Sequence, residues 1–166
     1  MNGGPLQSPP MAVDATRFRQ TLGKFASGVT VVTTEHEGEQ AGITVSAFSS
    51  LSLEPPLVLI CIDRKVRSHD VIAGAGLFAV NILEASQEEV SRRFASRQPD
   101  KFAGIATHRS PSGLPLIDGA LATLECRVKE TLPGGDHTIF VGEVLDSQLR
   151  EGDPLVYFHG AYRALK

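Results

Sequence analysis

Apolar and polar positions change period several times along the chain, and each change marks an element. Asp14 precedes Phe18, Leu22, Phe25 and Ala26 at helical spacing, with Ser27-Gly28 as a stop, which predicts a capped first helix. Val29 to Thr34 is β-branched almost throughout and predicts a strand. His36 to Gln40, with Gly38 in its middle, reads as a hairpin loop, and Ala41 to Ser52 returns as a strand that dissolves into hydroxyl-rich loop. Pro56 to Asp63 is a short apolar strand, and Arg64 to Ile72 a basic loop entering a short helix. Leu77 to Leu83 is another buried strand. Ser86 and Glu89 have the spacing of a capping box, predicting a helix from Gln87 to about Ala95. Gln98 to Pro115 is broken by Pro99, Gly104, Pro111, Gly113 and Pro115 and reads as irregular. Leu124, Cys126 and Val128 then alternate with Glu125, Arg127 and Lys129, a half-buried strand. Pro133-Gly134-Gly135-Asp136 turns the chain so that His137 to Leu145 pairs back, and a last strand runs from Leu155 to Phe158.

The sum is about seven strands and two or three short helices without βαβ alternation. Strands that follow one another directly favour antiparallel pairing and a mainly β fold, a small closed or split β-barrel. With 166 residues the chain makes one domain. We place it at residues 14–166, after a flexible tail at 1–13 that is Gly/Pro-rich and not apolar enough for a signal peptide. The most apolar stretch, Pro55 to Ile62, is far shorter than the ~20 residues a membrane span needs. Sixteen basic against nineteen acidic residues give −3, so no global field attracts nucleic acid or an anionic membrane. Cys61 and Cys126 lie far apart in strand-like segments with no CxxC spacing, the pattern of reduced thiols in a cytoplasmic protein.

No GxSxG elbow, HExxH or GxxxxGK[ST] motif is present. Gly74-Ala75-Gly76-Leu77-Phe78-Ala79 fits GxGxxA in letters but leads into a strand rather than a helix, so it reads as a glycine turn. Thr44, Ser46, Ser49, Ser50 and Ser52 concentrate five hydroxyls in nine residues. At a strand-to-loop transition these suit a flat heterocycle with polar edges, although an edge strand with Ser/Thr turns has the same composition. Arg64, Lys65 and Arg67, followed by Ser68, could hold a phosphate or form a solvated basic loop. Arg92, Arg93, Arg97 and Lys101 form a third basic group, partly ordinary helix surface. His137 stands at a strand mouth beside a glycine turn, where it can donate to a ligand or simply satisfy the turn. The other histidines show no ligand spacing, so no metal is assigned.

Several spaced stretches together resemble the flavin reductase domain family, the short-chain NAD(P)H:flavin oxidoreductases akin to FMN-binding split barrels. They are Phe25 to Thr34, Gly42 to Ser52, Glu54 to Val58, Phe78 to Leu83, Arg93 to Ala95, Gly135 to Val144 and Pro154 to Tyr157, in the family's order. The resemblance implies FMN or FAD as flavin and NADH or NADPH as donor, with hydride passing from nicotinamide C4 to flavin N5. It implies that Thr44, Val45, Ser46 and Ala47 line the isoalloxazine, and that Ser50 and Ser52 reach the ribityl or phosphate region. Lys65 and Ser68 would help with the phosphate, Asn81 would lie where a strand approaches the flavin, and Phe94 beside it. His137 falls at the position near which nicotinamide is expected. Ala47 stands where relatives often carry a polar residue, which leaves backbone alone to bond the ring edge there. The family further implies a homodimer and, as for several members, reduced flavin supplied to a partner monooxygenase. Two other readings stay open at this point: a flavin-binding electron carrier without NAD(P)H activity, and a pyridoxamine-phosphate-oxidase-like enzyme.

Overall fold

The computed structural model describes residues 13–165, so all but the last residue of the expected tail lies outside the described residues. Helices are α1 (Ala15–Leu22), α2 (Arg67–Ala75) and α3 (Glu88–Ala95). Strands in the first half are β1 (Ser27–Gly28), β2 (Thr30–His36), β3 (Glu39–Val45), β4 (Phe48–Ser52), β5 (Leu57–Asp63) and β6 (Leu77–Ile82). The second half holds β7 (Thr107–Arg109), β8 (Pro115–Ile117), β9 (Ala122–Gly134), β10 (His137–Leu149), β11 (Val156–Phe158) and β12 (Ala161–Arg163).

Seven strands form one antiparallel sheet in the order β3-β2-β6-β9-β10-β5-β4. Laid flat, six strand spacings would hold the two edges about 29 Å apart. Those edges are consecutive in sequence, joined only by Ser46 and Ala47, and three backbone steps reach about 11 Å at most. The sheet therefore has to curl until β3 and β4 meet. They meet without a ladder between them, which makes a split barrel of the expected class.

Its interior is filled by Val32, Val45, Val58, Ile60, Ile62, Phe78, Val80, Cys126 and Phe140, and Ile72 of α2 packs on the same cluster. Period-two alternation along β5 and β6 delivers these side chains to one face. Gly142 of β10 fits between them because a Cβ there would stand 2.5 Å from Phe78 Cζ and 3.0 Å from Cys126 Cβ. A second cluster of Val29, Val31, Leu83, Phe94, Ile117 and Leu155 covers the outside of β2 and β6. With both faces covered, β2 is buried from Thr30 to Thr34 and carries no polar alternation.

Local signals fared unevenly. Asp14 caps α1 as expected, Arg17 N–H donating to its Oδ2 at 3.0 Å. The helix stops at Leu22, where Gly23 N–H donates to Arg19 O, and none of its residues is buried. The Ser86/Glu89 capping box does not form. Ser86 turns back to bond the Glu84 carboxylate, while Gln87 takes the cap position without a side-chain bond to the helix. The glycine-turn reading of Gly74 to Ala79 is right, since α2 ends at Ala75 and Gly76 adopts φ +64° before β6. The turn after β9 is tighter than expected, with Gly134 pairing His137 across Gly135-Asp136. Within the stretch expected to be irregular, β7 pairs with β8.

Candidate functional site

The β3–β4 link lies at the split, and its surroundings follow from register. Ala47 O accepts from Cys61 N of β5 at 3.0 Å, and Cys61 pairs in turn with Ile139 of β10. His137 begins β10 opposite Asp63, so Ala47 and His137 stand about 12 Å apart across the mouth of the barrel, two strand spacings by two residues. Alternate residues of an antiparallel ladder turn their backbone groups toward and away from the neighbour. Because Ala47 faces β5, Phe48 turns its N–H and C=O to the unpaired side of β4, into the split. The result is a strip of exposed residues, Ser46 and Ala47, beside free edge groups that can donate and accept.

Placement divides the expected site residues into two sets. Ser46, Ala47, Ser50 and Lys65 are exposed, Ser52 half-buried, and His137 about 40% exposed, all around the β4–β5–β10 side. The others are held inside. Val45 packs in the barrel core, and its carbonyl accepts from Thr30 Oγ1 at 2.7 Å. Thr44 Oγ1 donates to Ser91 O at 2.6 Å and ties β3 to α3. Ser68 is buried in the first turn of α2, its hydroxyl donating to Gly42 O at 3.3 Å. Phe94 is fully buried and packs edge-on to Phe102 at 5.0 Å, over Gly42, where a Cβ would overlap its ring. Asn81 is also fully buried, with all its polar atoms engaged. Its amide donates to Val31 O and Thr33 Oγ1, and its Oδ1 accepts from Ile117 N. These side chains tie β3 to α2 and α3 and β6 to β2, and Asn81 keeps no side-chain polar atom for a ligand.

Charge at the mouth is arranged by the same register. Arg64 N–H donates to Asp136 O at 3.1 Å and Lys65 N–H to Asp63 Oδ1 at 2.9 Å, which fixes the basic loop beside the β9–β10 turn. His137 Nδ1 bonds Asp136 Oδ1 at 2.7 Å, so Nε2 is the nitrogen left for a ligand. That hydrogen bond holds the Asp136 carboxyl below its ordinary value, with Lys65 contributing. Arg67 is taken up by Glu39 at 2.5 Å, which leaves Arg64 and Lys65 as the basic side chains at this end. Arg93 is engaged as well, by the carbonyls of Lys101 and Ala103. Lys101 bridges Gly42 O and Phe94 O, and burial lowers its pKa. Sequence reasoning passed over Phe48, Cys61 and Ile139, which border the strip. Their only signal is alternation, with Cys61 and Ile139 falling on the outward positions of β5 and β10. Burial raises the Cys61 thiol, so at neutral pH it is an uncharged wall rather than a nucleophile.

A cradle of this kind can hold a planar ring with polar edges, with a basic loop for an anionic tail and a histidine facing the opening. Comparison with known proteins gives the family. A family model described as flavin reductase like domain matches residues 22–166. A reductase subunit of a flavin-dependent monooxygenase from Rhodococcus jostii is 43% identical over 156 residues, covering 93% of this chain and 80% of that protein. An NADH-dependent flavin reductase from a Rhodococcus species is 40% identical over 159 residues, covering 93% and 88%. Among solved structures, an NADH:FAD oxidoreductase of Streptomyces globisporus in complex with NAD and FAD fragments superposes with a TM-score of 0.89 at 39% identity, covering 92% of this chain and 93% of that one.

Proposed function

The chain belongs to the flavin reductase-like domain family and is an NAD(P)H:flavin oxidoreductase, and we propose that it binds its flavin at the split between β3 and β4 with the nicotinamide against His137. One observation carries this placement: the exposed Ser46–Ala47 link and the unpaired edge of Phe48 face the same barrel mouth as His137 and Lys65. When bound, flavin and nicotinamide supply the hydride chemistry themselves. The chain's own groups bind and align. The free backbone edge at Phe48 and the Ser46 hydroxyl bond the polar rim of the ring, while Cys61 and Ile139 offer an apolar wall. Ser50 and Ser52 take the ribityl side, and Lys65 with Arg64 the phosphate. Thr44, Val45, Ser68, Asn81 and Phe94 act from behind by holding β3, α2 and α3 in place. Alignment at near-contact is the main lever left to such a protein, because no acid–base pair is needed.

Steady-state oxidation of NADH and NADPH with FMN, FAD and riboflavin tests the activity. Flavin-dependent consumption of at least one nucleotide is expected, and its absence would leave only the electron-carrier reading. His137→Ala is expected to raise the KM for the nicotinamide nucleotide about fivefold or more and to leave flavin affinity within about twofold, the worth of one or two exposed hydrogen bonds. The reverse pattern would reassign His137 to the flavin.

Monooxygenase reductase components among the relatives support the reading that reduced flavin leaves for a partner oxygenase. A cytoplasmic setting suits both a nicotinamide donor and the free thiols Cys61 and Cys126. We also propose a homodimer. Phe18, Leu22 and Phe25 remain exposed on and just after α1, an amphipathic helix with no residue buried among the described residues. Light scattering is expected to give twice the chain mass, and Phe18→Asp with Leu22→Asp to halve it. A monomeric parent protein would remove the dimer.

A further inference from the structure

The mouth of the barrel holds a second histidine that the function above leaves unused. His69, in the first turn of α2, is about 16% exposed and lies edge-on to the buried Phe140 ring, with centroids 5.4 Å apart. Its Nδ1 is 2.9 Å from Asp70 Oδ1, and its Nε2 is 2.9 Å from Thr138 Oγ1. The Asp70 carboxylate can only accept, so Nδ1 carries a proton and donates it. In the neutral ring Nε2 is then the acceptor, and the Thr138 hydroxyl donates to it. An unbroken chain of hydrogen bonds therefore runs from the surface of α2 to the second residue of β10.

Thr138 directly follows His137. Along β10 the two side chains point to opposite faces, Thr138 toward α2 and His137 toward the opening. Outward from Thr138 the strand continues only to His137, which closes the two-residue turn at Gly135-Asp136. Gly135 has φ +71° and Asp136 is exposed, so little side-chain packing steadies this turn from outside. Towards the interior the strand is secured by the buried Phe140 and Val141. Backbone pairing already holds this end, with His137 opposite both Asp63 and Gly134 and Asp136 O accepting from Arg64 N–H. The hydrogen bond from Thr138 to His69 adds the side-chain tie that links it to α2, the helix whose preceding loop carries Lys65.

We infer that Asp70, His69 and Thr138 form a positioning relay that stiffens, beyond what the backbone ladder supplies, the His137 end of β10 against α2, so that the imidazole presented to the nicotinamide keeps its place beside the Lys65 loop presented to the phosphate. This rests on the nicotinamide role proposed for His137. The residues act through His137 and touch no reacting atom, so they are positioning residues. Fixing a side chain that orients a substrate improves productive binding more than it improves the fold, because the cost of ordering the turn is met before the ligand arrives.

The test uses the full-length protein with Thr138→Val, Thr138→Ser, His69→Phe and His137→Ala. Thr138→Val keeps the shape and removes the hydroxyl, and His69→Phe keeps a ring on Phe140. Amide hydrogen exchange without ligand is read first. Both variants are expected to speed exchange at Asp136 to Ile139 about tenfold, with the amides of Phe78 and Val80 unchanged. Kinetics are read second. The KM for the nicotinamide nucleotide is expected to rise about three- to tenfold with kcat within twofold, and Thr138→Ser to restore both readouts. The double variant is expected to be no worse than either single one, since both cut one link. Unchanged exchange at the turn, or a uniform loss across the whole barrel that serine does not rescue, would overturn the relay. If exchange responds but neither these variants nor His137→Ala moves the KM, the nicotinamide reading of His137 has failed instead. If His137→Ala moves it and the relay variants do not, the relay is refuted and that reading stands.

Discussion

Ser46→Tyr is expected to abolish flavin reduction while leaving the protein folded. Ser46 sits in the two-residue link that closes the barrel and is exposed. Exposed substitutions of this kind change stability by about 0.5 kcal/mol or less. A phenol ring there would project over the unpaired edge of β4, the position proposed for the rim of the flavin. A planar ligand cannot share that space, so its affinity is expected to fall more than about a hundredfold, or ~2.7 kcal/mol. Titration of FMN and FAD followed by flavin fluorescence reads the loss, and a thermal melt confirms the fold. Unimpaired binding in a folded Ser46→Tyr protein would take the β3–β4 link out of the site. Ser46→Ala separates bulk from bonding, because it removes one hydroxyl and leaves the backbone edge intact. It is expected to weaken binding only a fewfold.

The contrast between Ser46 and its neighbours shows what the sequence could and could not reveal. Composition saw Thr44, Ser46, Ser49, Ser50 and Ser52 as one hydroxyl-rich run. Pairing then sorts them: Thr44 is drawn onto α3, while Ser46, just past the end of β3, is left exposed. Nothing local encodes that division, because it depends on α3 lying over β3. The same holds for Asn81 and Phe94, whose neighbours Ile117 and Gly42 are 36 and 52 residues away. What was legible was local. The β-branched run around Val29 to Thr34 produced β2, the Asp14 cap formed, and Gly76 took the left-handed conformation that ends α2. Short strands escaped notice because three residues such as Thr107–Arg109 show no period, and only the partner β8 makes them a strand. The capping box at Ser86 failed through competition, since Glu84 two residues earlier offered its hydroxyl a carboxylate. The apolar spacing of α1 was real, but spacing alone does not say which face is covered within one chain.

The largest loss of stability is expected at Asn81, and the Leu and Asp variants distinguish its two roles. Asn81→Leu removes the acceptor for Ile117 N–H and the donor to Val31 O and Thr33 Oγ1 in a site without solvent. Orphaning buried partners costs about 1–3 kcal/mol each, so a total of roughly 3 kcal/mol and a Tm lower by about 6–12 °C is expected. Asn81→Asp is nearly isosteric and keeps the acceptor for Ile117, but it places a second oxygen against Val31 O and Thr33 Oγ1. Only the protonated acid can donate there, and burial also disfavours the ionised form. The folded-state pKa of this Asp is therefore raised above the unfolded value of about 3.9. Below that pH the variant keeps most of its stability. As pH rises through the folded-state value the contribution is lost, because the unfolded chain releases the proton more readily. Denaturant midpoints from pH 4 to 8 are expected to show the Asp variant falling steadily behind the parent while the Leu variant keeps a constant offset. Parallel curves for Asn81→Asp and the parent would mean that the Asn81 amide donates to neither oxygen, and the tie between β6, β2 and Ile117 would need another explanation.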